Sequence, residues 1–118
     1  MNFTADAFNF GAYTCVLKTV SSGSNRYLAG RSVLDDLVDI TVPESTGHYC
    51  ATSAAGNSKA YGRATCDPSK LSDCNDCLSY ARNFLEDVCE YSIGGHVVVG
   101  ESVCSMQFDA APISQCAA

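Results

Sequence analysis

Eight cysteines in 118 residues constrain this chain more than any other feature of it. An even count at this density in a short chain points to a disulfide framework formed in an oxidising, extracellular compartment. Spacing alone fixes none of the pairings. Four of the eight lie in AYGRATCDPSKLSDCNDCLSYARNFLEDVC, residues 60–89. The first part of this stretch alternates, with Ala60, Gly62, Ala64 and Cys66 on one face and Tyr61, Arg63 and Thr65 on the other, which predicts a strand. Pro68 suits a turn. The second part has apolar or sulfur side chains at Cys74, Cys77, Leu78, Ala81, Phe84, Leu85 and Val88, the stripe of an amphipathic helix. Ser72 is the expected N-cap, with Asp73 in the first turn.

The rest of the chain falls in place around that pair. Residues 12–20, AYTCVLKTV, read as a strand, and SSGSN at 21–25 as a loop. A first helix is expected over about residues 26–40, with Tyr27, Leu34, Leu37 and Val38 inward and Asp35, Asp36 and Asp39 toward water. Gly30 and Arg31 weaken its middle, and Pro43 ends it at the latest. Tyr49 to Thr52 reads as a short strand, and Asn57-Ser58-Lys59 as the turn into the next. Gly94-Gly95 is the expected stop of the second helix. His96–Val99 and Val103–Phe108 read as a hairpin around Gly100-Glu101, followed by a tail, 110–118, that carries Cys116. The sum is an α+β fold, with two helices packed on one face of an antiparallel sheet of about five strands and stapled by disulfides. The length fits one domain, 1–118, with its core at about 12–109.

Composition excludes several classes of function. A formal charge of −6 disfavours nucleic acid and polybasic attachment to anionic membranes, and no apolar run is long enough to span a bilayer. Met1-Asn2-Phe3-Thr4 has neither the basic region nor the apolar core of a signal peptide. The expectation is therefore a mature, normally secreted chain with Met1 as an added start. His48 and His96 are far apart, and a lone C-x₂-C lacks a second ligand pair, so no metal or other cofactor is expected. Catalysis is not expected either: no nucleophile elbow is present, and disulfides would consume the thiols. Asp35, Asp36 and Asp39 are read as a solvated face, and Arg63 as a charge with a cross-strand partner.

AYGRATC followed by a C-x₂-C helix and by Ile93-Gly94-Gly95 resembles the ginkbilobin-type antifungal domain of land plants. The same module, usually in tandem, forms the ectodomains of cysteine-rich receptor-like kinases and plasmodesmata-located proteins. The resemblance covers about residues 15–109. It departs from the family at Cys66, Cys74 and Cys77, where C-x₇-C-x₂-C replaces C-x₈-C-x₂-C, and in a hairpin about two residues longer. It implies the pairs Cys15–Cys89, Cys66–Cys74 and Cys77–Cys104. Cys50 and Cys116 are left over, and the even count suggests that they form a fourth bridge.

The resemblance also implies a mannose pocket built from an Asn, an Arg and a Glu, at positions that here hold Val16, His96 and Asp109. Val16 offers no hydrogen bond. His96 offers one donor in place of a guanidinium's five and carries charge only around pH 6 to 6.5 and below. Asp109 keeps the carboxylate with less reach. Each hydrogen bond contributes only about 1 kcal/mol net, so the site is expected to be degenerate. The implied role is a plant defence protein of the apoplast, antifungal through a microbial or cell-wall glycan, mannose-type if the pocket survives. The alternative is an ectodomain-like module that binds a protein partner and has no antimicrobial activity.

Overall fold

The computed structural model describes residues 10–39, 47–100 and 103–116. Its elements are β1 (Phe10–Cys15), α1 (Asn25–Asp39), β2 (His48–Ala55), β3 (Ser58–Cys66), α2 (Cys74–Val88), β4 (Gly95–Val99) and β5 (Cys104–Asp109). A 3₁₀ turn, Pro68–Asp73, leads into α2, and another, Ser114–Cys116, lies in the tail. The strands form one sheet in the order β1-β4-β5-β3-β2, every pair antiparallel. Both helices cover one face of it. α1 lies on β2 and β3, and α2 on β4 and β5. This is the expected α+β architecture.

Strand alternation decides what the helices meet. Ala60, Gly62, Ala64 and Cys66 of β3, Val97 and Val99 of β4, and Cys104, Met106 and Phe108 of β5 all point inward and are buried. Against them stand Val33, Leu34 and Leu37 from α1, and Leu78 and Leu85 from α2. Two glycines let the helices sit close. A Cβ on Gly62 would lie 2.8 Å from Leu37 Cδ1, and one on Gly95 would lie 2.8 Å from Cys89 Sγ.

Several local expectations are corrected. α1 begins at Asn25, because Ser24 Oγ accepts the Tyr27 N–H at 3.2 Å and caps it. It runs uninterrupted through Gly30 and Arg31. Gly30 is buried against the ring of Phe108, and Arg31 crosses to α2, with its Nη1 3.1 Å from Glu86 Oε1. Asp35 and Asp36 are exposed yet partnered: Arg82 Nη1 stands 2.8 Å from Asp35, and Ser53 Oγ donates to Asp36 at 2.8 Å. Pro43 lies outside the described residues.

α2 starts later than Ser72. Its N-cap is Asp73, whose backbone is already helical after the 3₁₀ turn and whose side chain makes no capping bond. It ends at Val88, well before Gly94-Gly95, which belong to the approach and start of β4. Residues 12–20 are not one strand. β1 stops at Cys15, and pairing then continues irregularly through a Thr19–Ser92 bridge and the Val20 N–H to Tyr91 carbonyl bond at 2.7 Å. β2 and β3 turn at Gly56-Asn57, where Gly56 takes a positive φ of 57°, so Ser58 and Lys59 are already strand.

Four disulfides close the framework: Cys15–Cys89, Cys50–Cys116, Cys66–Cys74 and Cys77–Cys104. Three of them hold α2, two in its first turn and one just past its end, to β3, β5 and β1. The fourth brings the tail back over β2, where Ile113 is buried. In the chain-entropy account, a bridge closing 74 residues contributes about 4 to 5 kcal/mol and one closing 8 about 2 to 3. Replacing Cys15 and Cys89 together by Ala should therefore lower the melting temperature more than replacing Cys66 and Cys74. Calorimetric melting of the two double variants checks this ranking.

Candidate functional site

With one sheet face committed to helices, the alternate strand positions form an outer face. In register across all five strands, Thr14 opposes His96, His96 opposes Gln107, Gln107 opposes Arg63, and Arg63 opposes Cys50. A polar row thus crosses the whole sheet. A neighbouring row contains Asp109, which opposes Tyr61. The Cys50–Cys116 bridge lands on this face, and a groove beside the returning tail is lined by Thr52, Tyr61, Pro112 and Ile113.

Val16, His96 and Asp109 all belong to the outer face, on neighbouring strands. Val16 extends β1, its N–H donating to the Gly94 carbonyl at 2.9 Å. Gly94 is what brings the other two positions close. A Cβ there would meet Val16 Cγ2 at 3.1 Å and Asp109 Cα at 3.2 Å. Val16 is 37% exposed, so an apolar isopropyl group faces solvent where hydrogen bonding would be wanted. Asp109 uses one carboxylate oxygen to accept the Ala111 N–H at 3.1 Å, which holds the start of the tail.

His96 differs from the sequence-based expectation in its titration. Partial burial, and then the nearby positive charge of Arg63, lower its pKa below the ordinary imidazole value. It stays neutral further into the acid range than pH 6 to 6.5. Arg63 differs too. Its cross-strand neighbours are Cys50 and Gln107, and it makes no ion pair among the described residues. Neither Gln107 nor Gly94 was singled out from sequence as a site residue. The signal for Gln107 was its alternation with Met106 and Phe108 in β5.

Among the described residues one group of metal-ligand types gathers, His48 with Cys50 and Cys116. His48 Nε2 lies 3.3 Å from Cys50 Sγ, so this histidine is not isolated as the sequence implied. The two sulfurs are joined to each other, which leaves the imidazole as the only ligand of the three.

The salt stress response/antifungal family model matches residues 11–111. This chain belongs to that family. It is 37% identical over 106 residues to the antifungal protein ginkbilobin-2 of Ginkgo biloba, which covers 85% of this chain and 75% of that protein. Its fold is similar to the tandem DUF26 ectodomains of two Arabidopsis thaliana cysteine-rich receptor-like proteins. For PDLP5 the TM-score is 0.71 at 23% identity, covering 87% of this chain and 51% of that one. For PDLP8 it is 0.73 at 16%, covering 88% and 50%. The chain thus spans about half the length of those ectodomains, and the likeness concerns the fold alone. Within the salt stress response/antifungal domain, β3, α2 and their cysteines are the part already legible as AYGRATC and C-x₂-C.

A lowered His96 pKa has a definite sign. Folding favours the neutral ring, so the stability it contributes is full above the unfolded-state value near 6.5. That contribution is lost as the pH falls through the folded-state value. His96→Gln should flatten this part of the acid-side stability profile, and Arg63→Gln should raise the His96 pKa. Stability against pH, together with imidazole resonances followed by NMR, checks both.

Proposed function

We propose that this chain is a secreted plant defence protein of the ginkbilobin type, which acts by binding a microbial or cell-wall ligand on the outer face of its sheet. The observation that carries the reading is the pairing of family membership with a polar sheet face that the helices leave uncovered. A net charge of −6 supports recognition over membrane disruption, which relies on basic surfaces. Binding, rather than catalysis, is what such a face can perform. It offers hydrogen-bonding groups on rigid strands, and all eight cysteines of the chain are in disulfides.

The mannose-type pocket is proposed to be degenerate in this chain. Val16 contributes no hydrogen bond, His96 remains neutral near pH 7, and Asp109 is partly engaged by its own tail. A second reading, an ectodomain-like module for a protein partner, draws support from the likeness to the two tandem ectodomains. Inhibition of filamentous fungal growth by the oxidised protein separates the two: the defence reading expects inhibition, and its absence favours the module.

For the pocket itself, titration calorimetry should find mannose binding weak or undetectable at pH 7.5. The combined Val16→Asn, His96→Arg and Asp109→Glu variant should bind more tightly. Tight mannose binding by the unchanged protein would contradict the proposal.

A further inference from the structure

Arg63 is buried at its Nε without a hydrogen-bond partner among the described residues. It also lacks an ion pair there. A guanidinium donor withdrawn from water and left unmatched is destabilising, more so than a neutral donor. Native folds keep few such groups, and those that persist ask for a physical reason.

The covered Nε is itself closed to solvent, so a ligand would meet the guanidinium at its terminal nitrogens. The chain carries 13 Asp and Glu against 7 Lys and Arg. Within the described strands, however, the outer face reverses that balance. Lys59 and Arg63 of β3 point outward, against Asp109 of β5 as the single strand carboxylate. Arg63 lies in the middle of β3, within electrostatic reach of His96 two strands away. An acidic protein with one locally basic face attracts anions there.

We propose that Arg63 anchors a carboxylate-binding subsite for an acidic sugar, a uronate within a cell-wall polysaccharide, with Gln107 and Asp109 receiving the sugar's hydroxyls. The proposal rests on the outer face being a glycan-binding surface and names the class of glycan. A guanidinium matches a carboxylate with two parallel hydrogen bonds. Gln107, directly opposite Arg63, offers an amide that both donates and accepts. Asp109, next along β5 on the same face, accepts from hydroxyls, and Tyr61 opposite it adds an aromatic ring. A uronate presents both a carboxylate and ring hydroxyls. An acidic peptide presents carboxylates alone, which Asp109 repels.

The test is titration calorimetry on the intact, oxidised chain with four probes: an oligogalacturonide, its fully methyl-esterified form, a neutral manno-oligosaccharide and a poly-glutamate peptide. The oligogalacturonide is expected to bind, more weakly as salt rises, and esterification to abolish binding. Arg63→Gln should weaken it by about tenfold or more, with Arg63→Lys between. Gln107→Ala should weaken it severalfold while keeping the melting temperature. Should Arg63→Gln fail to fold, the esterified probe and Gln107→Ala decide. Equal affinity for the esterified probe, or unchanged affinity in a folded Arg63→Gln, overturns the proposal. Poly-glutamate binding as tightly overturns it in favour of a protein partner. Mannose binding without uronate binding sinks this subsite and leaves the glycan surface standing, whereas no binding of either sugar sinks both.

Discussion

The structure depends on how α2 is held to the sheet. Cys66–Cys74 fixes its first residue to the end of β3, Cys77–Cys104 fixes its first turn to β5, and Cys15–Cys89 fixes its far end to β1. Covalent ties at both ends of one 15-residue helix, two in its first turn and one just past its last, leave it little freedom to slide or lift. They also connect the first strand of the sequence to the last ones, which closes long loops before the core has to hold them. α1 has no disulfide. It is placed by packing on Gly62 and Phe108 and by its ion pairs to α2, Arg31 with Glu86 and Asp35 with Arg82. Exposed pairs of this kind contribute little each, so the apolar contacts decide the position of α1 and the ion pairs only its orientation against α2.

Committing both helices to one face has a functional consequence. The other face of a five-stranded antiparallel sheet stays available, and its side chains sit on rigid backbone in fixed register. Such a surface suits recognition of extended polar ligands better than chemistry, which needs a desolvated cleft. The Cys50–Cys116 bridge limits this face on the β2 side by laying the tail across it. What remains open runs from Thr14 to Arg63, across β1, β4, β5 and β3.

Much of this was legible in the sequence, because alternation and helical periodicity report burial directly. Ala60 to Cys66 separated into inner and outer residues as the structure has them. The helical stripe from Cys74 to Leu85 is buried at Cys74, Cys77, Leu78, Ala81 and Leu85, while Val88 at its end is exposed. Glycine was the harder residue to read. Gly30 looked like a weak point but is seated on an aromatic ring, and Gly94-Gly95 looked like a helix stop but serve close approach to Val16 and Cys89. Local propensity sees conformational freedom, whereas these positions are set by tertiary space. Ser24 went unread as a cap because its neighbours in SSGSN already spelled a loop. Arg63 was assigned a charge partner that no cross-strand neighbour supplies, since strand order cannot be read from one strand.

The central claim is that this domain recognises its ligand through the outer sheet face and not through its helices. Backbone amide shifts of the labelled protein, followed by NMR during titration with an oligogalacturonide, test it most directly. The account predicts that the shifts cluster at Thr14, His96, Gln107, Asp109 and Arg63, with α1 and α2 unmoved. Shifts concentrated in the groove between the helices, around Tyr27, Arg31 and Glu86, would contradict it.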